Sequence, residues 1–258
     1  MSNNLLNDIK ILYEDEDCLV IDKPALLMVH PDGRSQGPFV TDWILEHYPS
    51  ARNVGEGMRD QDGEALERSG IVHRLDRETS GALIIAKNQD AHSFLKKQFQ
   101  DRLVQKKYLA FVWGEIKEEF GTINRPIGRS GSDFRKYSAQ RGARGDMKEA
   151  ETYWTKLSDC HRNIDGTDYK FSLVEVEPKT GRTHQIRVHF NAINHPVVSD
   201  ILYAPKKPKV LGFERIALHS RSIKFTNLNE EVVEIVAPLP LDFKRAINDL
   251  GIETLKLV

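Results

Sequence analysis

Residues 73–87, HRLDRETSGALIIAK, crowd a histidine, two arginines and two carboxylates between His73 and Glu78, turn at Gly81, and run apolar to Lys87. An apolar run of this length, opened by turn residues and closed by a lysine, predicts a buried strand over Ala82 to Ala86. A companion strand is predicted over Ile71 to Leu75, with the polar turn between the two. Buried strands must be covered on both faces, so the chain has to supply further strands and helices. The charges at the turn are not needed by a core strand and must face something else. Asp76 stands where a side chain can reach a cleft while its backbone is held. The ordinary alternative is a turn carboxylate capping the amides of Glu78 or Thr79, with Arg74 and Arg77 as solvated charges.

The remaining elements follow from periodicity. IKILYEDEDCLVIDKP predicts two strands around an acidic turn, stopped by Pro24. A short helix is predicted at Val40 to His47, followed by a long loop over residues 51–70. Ala91, Phe94, Leu95, Phe99 and Leu103 recur at helical spacing, predicting a helix from Asp90 to Leu103 capped by Asn88 or Asp90. KKYLAFVWGEI is β-rich, and residues 123–148 look irregular. Strands follow near Ala150–Leu157 and Lys170–Val176. Ile186, Phe190 and Ile193 predict a helix closed by His195 and Pro196. A hairpin within residues 216–238 and a helix from Leu241 complete the chain. Strands and helices alternate without a βαβ rhythm, so an α+β fold is expected, with a mixed, mostly antiparallel central sheet flanked by helices.

With 258 residues, 40% of them hydrophobic, the chain can form one large domain or two lobes. Its formal net charge of −1 means that any polyanion-binding surface must come from local clustering. Cys18 and Cys160 are far apart and fit a reduced, cytoplasmic protein. No signal peptide or membrane span is expected. The chain has no GxxxxGK[ST], complete GxGxxG or HExxH motif, and the five-residue spacing of His184 and His189 does not suit two ligands on one helix face. Those histidines are expected in the core or supporting a site. Cofactor-free chemistry without a metal is expected.

Four segments in order resemble the RluA-type pseudouridine synthases: YEDEDCLVIDKPALLMVHP, HRLDRETSGALIIAK, KKYLAFVWG, and EPKTGRTHQIRVHF with HPVVSDILY after it. The likeness runs from about Ile11 to Phe225 and implies a single catalytic domain over residues 1–258, a two-lobed pseudouridine synthase fold with a catalytic cleft. With only about ten residues ahead of the first motif, the S4 RNA-binding domain of many relatives is not expected. The implied reaction breaks the N1–C1′ bond of uridine and rejoins the base through C5, with no net gain or loss of atoms. It needs an ionised carboxylate, a pocket that retains the free base, and a proton acceptor for C5.

The resemblance places the catalytic aspartate on Asp76, the tyrosine on Tyr108 and the basic partner on Arg187. A dry pocket would raise the Asp76 pKa, and a guanidinium bound to it would oppose that, so a pairing of Asp76 with Arg187 is expected. Tyr108 could stack on uracil and move a proton; by pattern alone it is a half-buried strand aromatic. Ile186 would wall the other base face, or simply pack in the core. Arg74 would fill the gap left by a flipped nucleotide or touch a phosphate. His73 and Thr79 belong to the same substrate-binding turn.

Between Asn124 and Lys148 stand seven basic residues against Asp133 and Asp146. Arg125, Arg129, Arg135 and Lys136, with Phe134 and Tyr137 among them, are expected to follow RNA phosphates, with salt-sensitive binding. The expected partner is ribosomal or transfer RNA, met by a monomer. Leu26, Ser199 and Ala204 stand where the family has glycine, and Asn227-Leu228 replaces a common His-Pro, which bears on loop geometry. Two other functions stay open: an RNA-binding protein of this fold without turnover, and a hydrolase pairing Asp76 with Glu78.

Overall fold

The computed structural model describes residues 4–31, 37–59, 65–66, 69–140, 143–164 and 166–253. By its internal contacts the chain divides into two compact units, one of Met1–Lys106 with Ser220–Pro238, the other of Lys107–His219 with Leu239–Val258.

The first unit opens with α1 (Asn4–Asn7), then β1 (Lys10–Glu14) and β2 (Cys18–Lys23), the two strands expected around the acidic turn. They pair antiparallel. Asp15 builds the turn by accepting the main-chain N–H groups of Asp17 and Cys18. Next come α2 (Val40–His47), two short strands β3 (Met58–Arg59) and β4 (Ala65–Leu66), β5 (Ser80–Ala86) and α3 (Gln89–Gln100). A 3₁₀ turn at Pro49–Asn53 and the β3–β4 pair occupy part of the expected 51–70 loop; residues 60–64 and 67–68 lie outside the described residues. All seven residues of β5 are buried, as an apolar run without alternation demands. β2 pairs with it from Cys18 to Lys23.

The strand expected at Ile71–Leu75 is absent apart from a single bridge between Ile71 and Ile85. Gly70, at φ +80°, accepts the Ala86 N–H, and a Cβ there would stand 1.9 Å from the Ala86 oxygen. His73 then takes up the Ile84 N–H with its side chain, so an imidazole does what a neighbouring strand would have done. Asn88 caps α3 by accepting the Ala91 N–H, as expected. The helix stops at Gln100 because Arg102 adopts a left-handed φ of 61°, and Leu103 leaves the helix and stands exposed.

The second unit contains most of β6 (Gln105–Trp113), then β7 (Phe120–Asn124), β8 (Ile127–Arg129), β9 (Tyr137–Ser138), β10 (Arg144–Lys148), β11 (Glu151–Ile164), β12 (Thr167–Pro178) and α4 (Gln185–Ala192). β6, β12, β11 and β7 form an antiparallel sheet in that order. The β11–β12 hairpin extends well beyond the apolar cores by which its strands were foreseen. Residues 123–148, expected to be irregular, hold a small sheet in the order β10-β8-β9. Its strands are short, and β8 and β10 are interrupted by glycine, so no period-two signal marks them. Arg141, one of the seven basic residues, lies outside the described residues.

α4 packs on β11 and β12 and is buried on nearly every side, so it is not the amphipathic surface helix its spacing could have meant. It ends at Ala192, before His195 and Pro196, where Asn194 turns left-handed at φ 65°. β13 (Leu218–Thr226) runs into the first unit at Ser220 and pairs with β14 (Val232–Val236), the expected hairpin. In the first unit the strand order is β1-β2-β5-β13, with β14 on β13. α5 (Leu241–Asp249) closes the second unit, its Asp242 gripping Arg215 at 2.8 and 3.0 Å. Nearly all pairings are antiparallel and the helices are few, which makes the fold α+β as expected. Among the described residues no helix is long and apolar enough to cross a membrane.

Candidate active site

In the first unit the turn carrying Asp76 is held from three directions. Its own backbone closes with the Thr79 N–H donating to the Asp76 oxygen at 3.1 Å. Below it, Lys23 ends β2 as a fully buried side chain whose ammonium donates to the main-chain oxygens of Pro24, Leu27 and Arg77 at 2.9, 2.8 and 3.3 Å. A buried cation is costly unless its donors are used, so those bonds tie the Pro24–Leu27 turn to the Asp76 turn. Arg77 returns the tie, its Nε donating to the Leu26 oxygen at 3.2 Å. Lys23 is a supporting residue that motif reading missed. Its signal was a lysine directly before Pro24 at the end of an apolar strand.

The third hold is His73. Its Nε2 accepts the Ile84 N–H at 3.0 Å, and its ring stacks on Phe99 at 4.7 Å and 24°. Acceptance at Nε2 requires an unprotonated nitrogen there. Burial of the ring, helped by the Lys106 ammonium, lowers the His73 pKa from 6.5 to about 3. The folded state therefore favours the neutral ring, and this contribution to stability is complete above pH 6.5 and lost as pH falls towards 3. Below pH 6.5 the unfolding free energy is expected to drop by up to about 1.4 kcal/mol per pH unit on account of this group. His73→Gln, whose amide oxygen can still accept the Ile84 N–H, should flatten that slope in denaturant titrations between pH 7 and 5; an unchanged slope would contradict the assignment.

Asp76 itself is half-buried at the start of this supported turn, and Arg74 and Arg77 are exposed beside it. Thr79 is buried, and among the described residues its Oγ1 has no hydrogen-bond partner. A buried hydroxyl without a partner is uncommon and points to a role beyond packing. Leu26 adopts φ 69° and Ser199 φ 59°, so two of the positions where the family has glycine keep the left-handed backbone without it. Leu26→Gly is expected to raise stability by up to about 1 kcal/mol, read from denaturant midpoints. A loss would show that the Leu26 side chain contributes more than its strain costs.

In the second unit Tyr108 is buried on β6, opposite Val176 of β12. Ile186 and Arg187 occupy the first turn of α4, both largely buried. Arg187 Nε and Nη2 donate to Asp200 at 2.7 and 2.9 Å, a bidentate bond whose carboxylate is completely buried. Asp200 Oδ1 also accepts the N–H groups of Leu202 and Tyr203. Tyr203 lies under the guanidinium at 5.1 Å. Its hydroxyl accepts the Tyr137 N–H and pairs with His184 Nδ1, each at 3.0 Å. Asp200 and Tyr203 were not singled out from the sequence, although both stand in the HPVVSDILY segment. His189, expected in the core, is fully buried between Thr152 Oγ1 and the Arg125 oxygen, and burial lowers its pKa.

The basic segment is partly engaged. Arg125 Nη1 donates to the oxygen of Ala192 at 2.9 Å, capping the end of α4. Arg129 donates to the Phe134 oxygen and lies over the Tyr137 ring at 4.8 Å. Arg135 grips Asp133, and that contact lowers the Asp133 pKa to about 2. Lys136 makes no side-chain hydrogen bond among the described residues.

The sequence model described as RNA pseudouridylate synthase matches residues 17–192. The uncharacterized RNA pseudouridine synthase YlyB of Bacillus subtilis (strain 168) is 38% identical over 245 residues, covering 94% of this chain and 73% of the relative. Ribosomal large subunit pseudouridine synthase D of Xanthomonas campestris pv. campestris is 35% identical over 255 residues, covering 94% of this chain and 69% of the relative. The solved structure of human RNA pseudouridylate synthase domain containing 4 matches with a TM-score of 0.70 and 26% identity, over 98% of this chain and 96% of that one. The chain therefore belongs to the RNA pseudouridine synthase family, whose members are isomerases.

Proposed function

We propose that this chain converts particular uridines of ribosomal or transfer RNA to pseudouridine, with ionised Asp76 as the group that meets a flipped-out nucleotide. The observation that carries this reading is the support of the Asp76 turn. A buried ammonium, a neutral imidazole and a main-chain bond are all spent on holding one half-buried carboxylate in place. The main-chain bond is that of any closed β-turn; the buried ammonium and the imidazole are what an ordinary turn aspartate does not need.

In this reading Arg187 keeps Asp76 ionised, and Asp200 fixes the direction in which Arg187 presents its guanidinium. Tyr108 stacks on uracil and relays the C5 proton, with Ile186 on the other base face. Thr79 donates its unpartnered hydroxyl to the nucleotide. His73 acts through the turn as a positioning residue. Attack at C1′, addition at C6 and removal of the C2′ proton would all use the same Asp76 oxygen. Arg125, Arg129, Arg135 and Lys136 follow the phosphates. The likeness to a ribosomal large subunit enzyme favours ribosomal RNA as the target. We take the chain to work in the cytoplasm, where its two free cysteines stay reduced, and as a monomer.

The test is chemical mapping of pseudouridine after incubating ribosomal and transfer RNA with the chain and with Asp76→Asn. Discrete modified positions that depend on Asp76 support the reading, and RNA bound but left unmodified supports a binding protein instead. Arg74 is taken to fill the stack vacated by the target. Arg74→Ala should lower kcat/KM on the mapped RNA by roughly ten- to a hundredfold, the equivalent of a few kcal/mol of unstacking, with an unchanged melting temperature. Undiminished turnover would remove that role.

A further inference from the structure

The second unit contains a cavity of about 430 Å³ that none of the groups above was expected to form. Its walls include Ser130, Ser132, Lys136, Arg144, Asn191 and Tyr203, and among the described residues no carboxylate lines it. Lys136 and Arg144 therefore make it a positive site of a volume suited to a small ligand. Among the described residues neither of these cations, nor the Asn191 amide, makes a side-chain hydrogen bond. The Ser130 and Ser132 hydroxyls pair with each other at 3.2 Å. Tyr203, fixed by His184 and Tyr137, forms a rigid wall.

The position of this cavity limits what it can hold. Asn191 follows Arg187 by four residues on α4, so the two side chains lie on the same face, about 5–6 Å apart at Cβ. Tyr203 touches the cavity and also lies under the Arg187 guanidinium. A ligand here is thus one helical turn from the group assigned to the target carboxylate's partner.

We propose that this cavity is a second nucleotide subsite, taking one unstacked nucleotide that flanks the target uridine. Its phosphate lies against Lys136 and Arg144. Its base edge is read by the Asn191 amide, which offers both a donor and an acceptor. The inference rests on the RNA isomerase reading and adds to it a source of site selection within the catalytic chain.

The experiment uses a stem-loop RNA built around a mapped target, with each flanking nucleotide replaced in turn by an abasic one. Affinity is measured in the Asp76→Asn background, with and without Asn191→Ala, and with Asn191→Asp as the variant of matched shape. At one flanking position the abasic change and Asn191→Ala should each weaken binding about tenfold, and together no more than either alone. Lys136→Ala with Arg144→Ala, which removes both contacts to that one phosphate, should reduce the salt slope by about 0.7. Losses that multiply at every position, or an Asn191→Ala variant that binds normally, would overturn the subsite while leaving isomerisation intact. Failure of the unaltered chain to form pseudouridine in any RNA would instead strike the underlying reading.

Discussion

Asp76→Asn is expected to lower pseudouridine formation by on the order of 10⁴-fold or more while leaving RNA affinity and melting temperature nearly unchanged. The amide keeps the shape of the carboxylate but cannot act as an anionic nucleophile or base. Three holds on this turn run through other atoms and stay in place in the variant: the Lys23 ammonium on main-chain oxygens, the His73 ring on the Ile84 N–H, and the Thr79 N–H on the Asp76 main-chain oxygen. Stopped-time mapping with equal concentrations of the two proteins provides the comparison. Turnover within tenfold of normal would remove Asp76 from the chemistry, and a large fall in melting temperature would show that its side chain is structural.

The second large effect concerns Asp200. Its carboxylate is fully buried and binds a largely buried guanidinium by two short bonds. Asp200→Ala removes the buried carboxylate from the Arg187 guanidinium and frees the N–H groups of Leu202 and Tyr203 as well. Removing one partner of such a pair costs about 3–5 kcal/mol, enough to lower the melting temperature by roughly 10 °C in a chain of this size. Asp200→Asn keeps an oxygen for the two N–H groups and should recover part of the stability. It should not recover turnover, because a guanidinium held by one neutral amide is poorly aimed. A variant that regained both would show that Asp200 serves folding alone.

Much of this was legible in the sequence where a single physical requirement dominates. The apolar run of β5 admits only a buried strand, the Asn88 cap and the spacing after it announce α3, and the acidic turn between β1 and β2 is built by the aspartate that the pattern placed there. Asp76, Tyr108 and Arg187 are assigned to the reaction through spaced motifs, because composition alone gives each an ordinary alternative. What could not be read were contacts between distant segments. Nothing local says that Lys23 reaches the Arg77 oxygen, that Asp200 binds Arg187, or that the His73 ring replaces a strand neighbour of Ile84. The strands within residues 123–148 escape notice for another reason: β8, β9 and β10 are too short, and β8 and β10 are broken by glycine, so no alternation shows. Leu26 and Ser199 illustrate the opposite case, where an absent glycine suggested altered turns and the backbone kept its left-handed conformation.

Isomerisation carries an atomic signature, since the base rejoins the sugar through C5 and must surrender the hydrogen it held there. RNA carrying tritium at C5 of uracil therefore tests the central claim directly. The account predicts tritium released to water in proportion to pseudouridine formed, with no free uracil, no strand loss, and no release by Asp76→Asn. Uracil set free with its tritium retained, or release that persists without the Asp76 carboxylate, would contradict it.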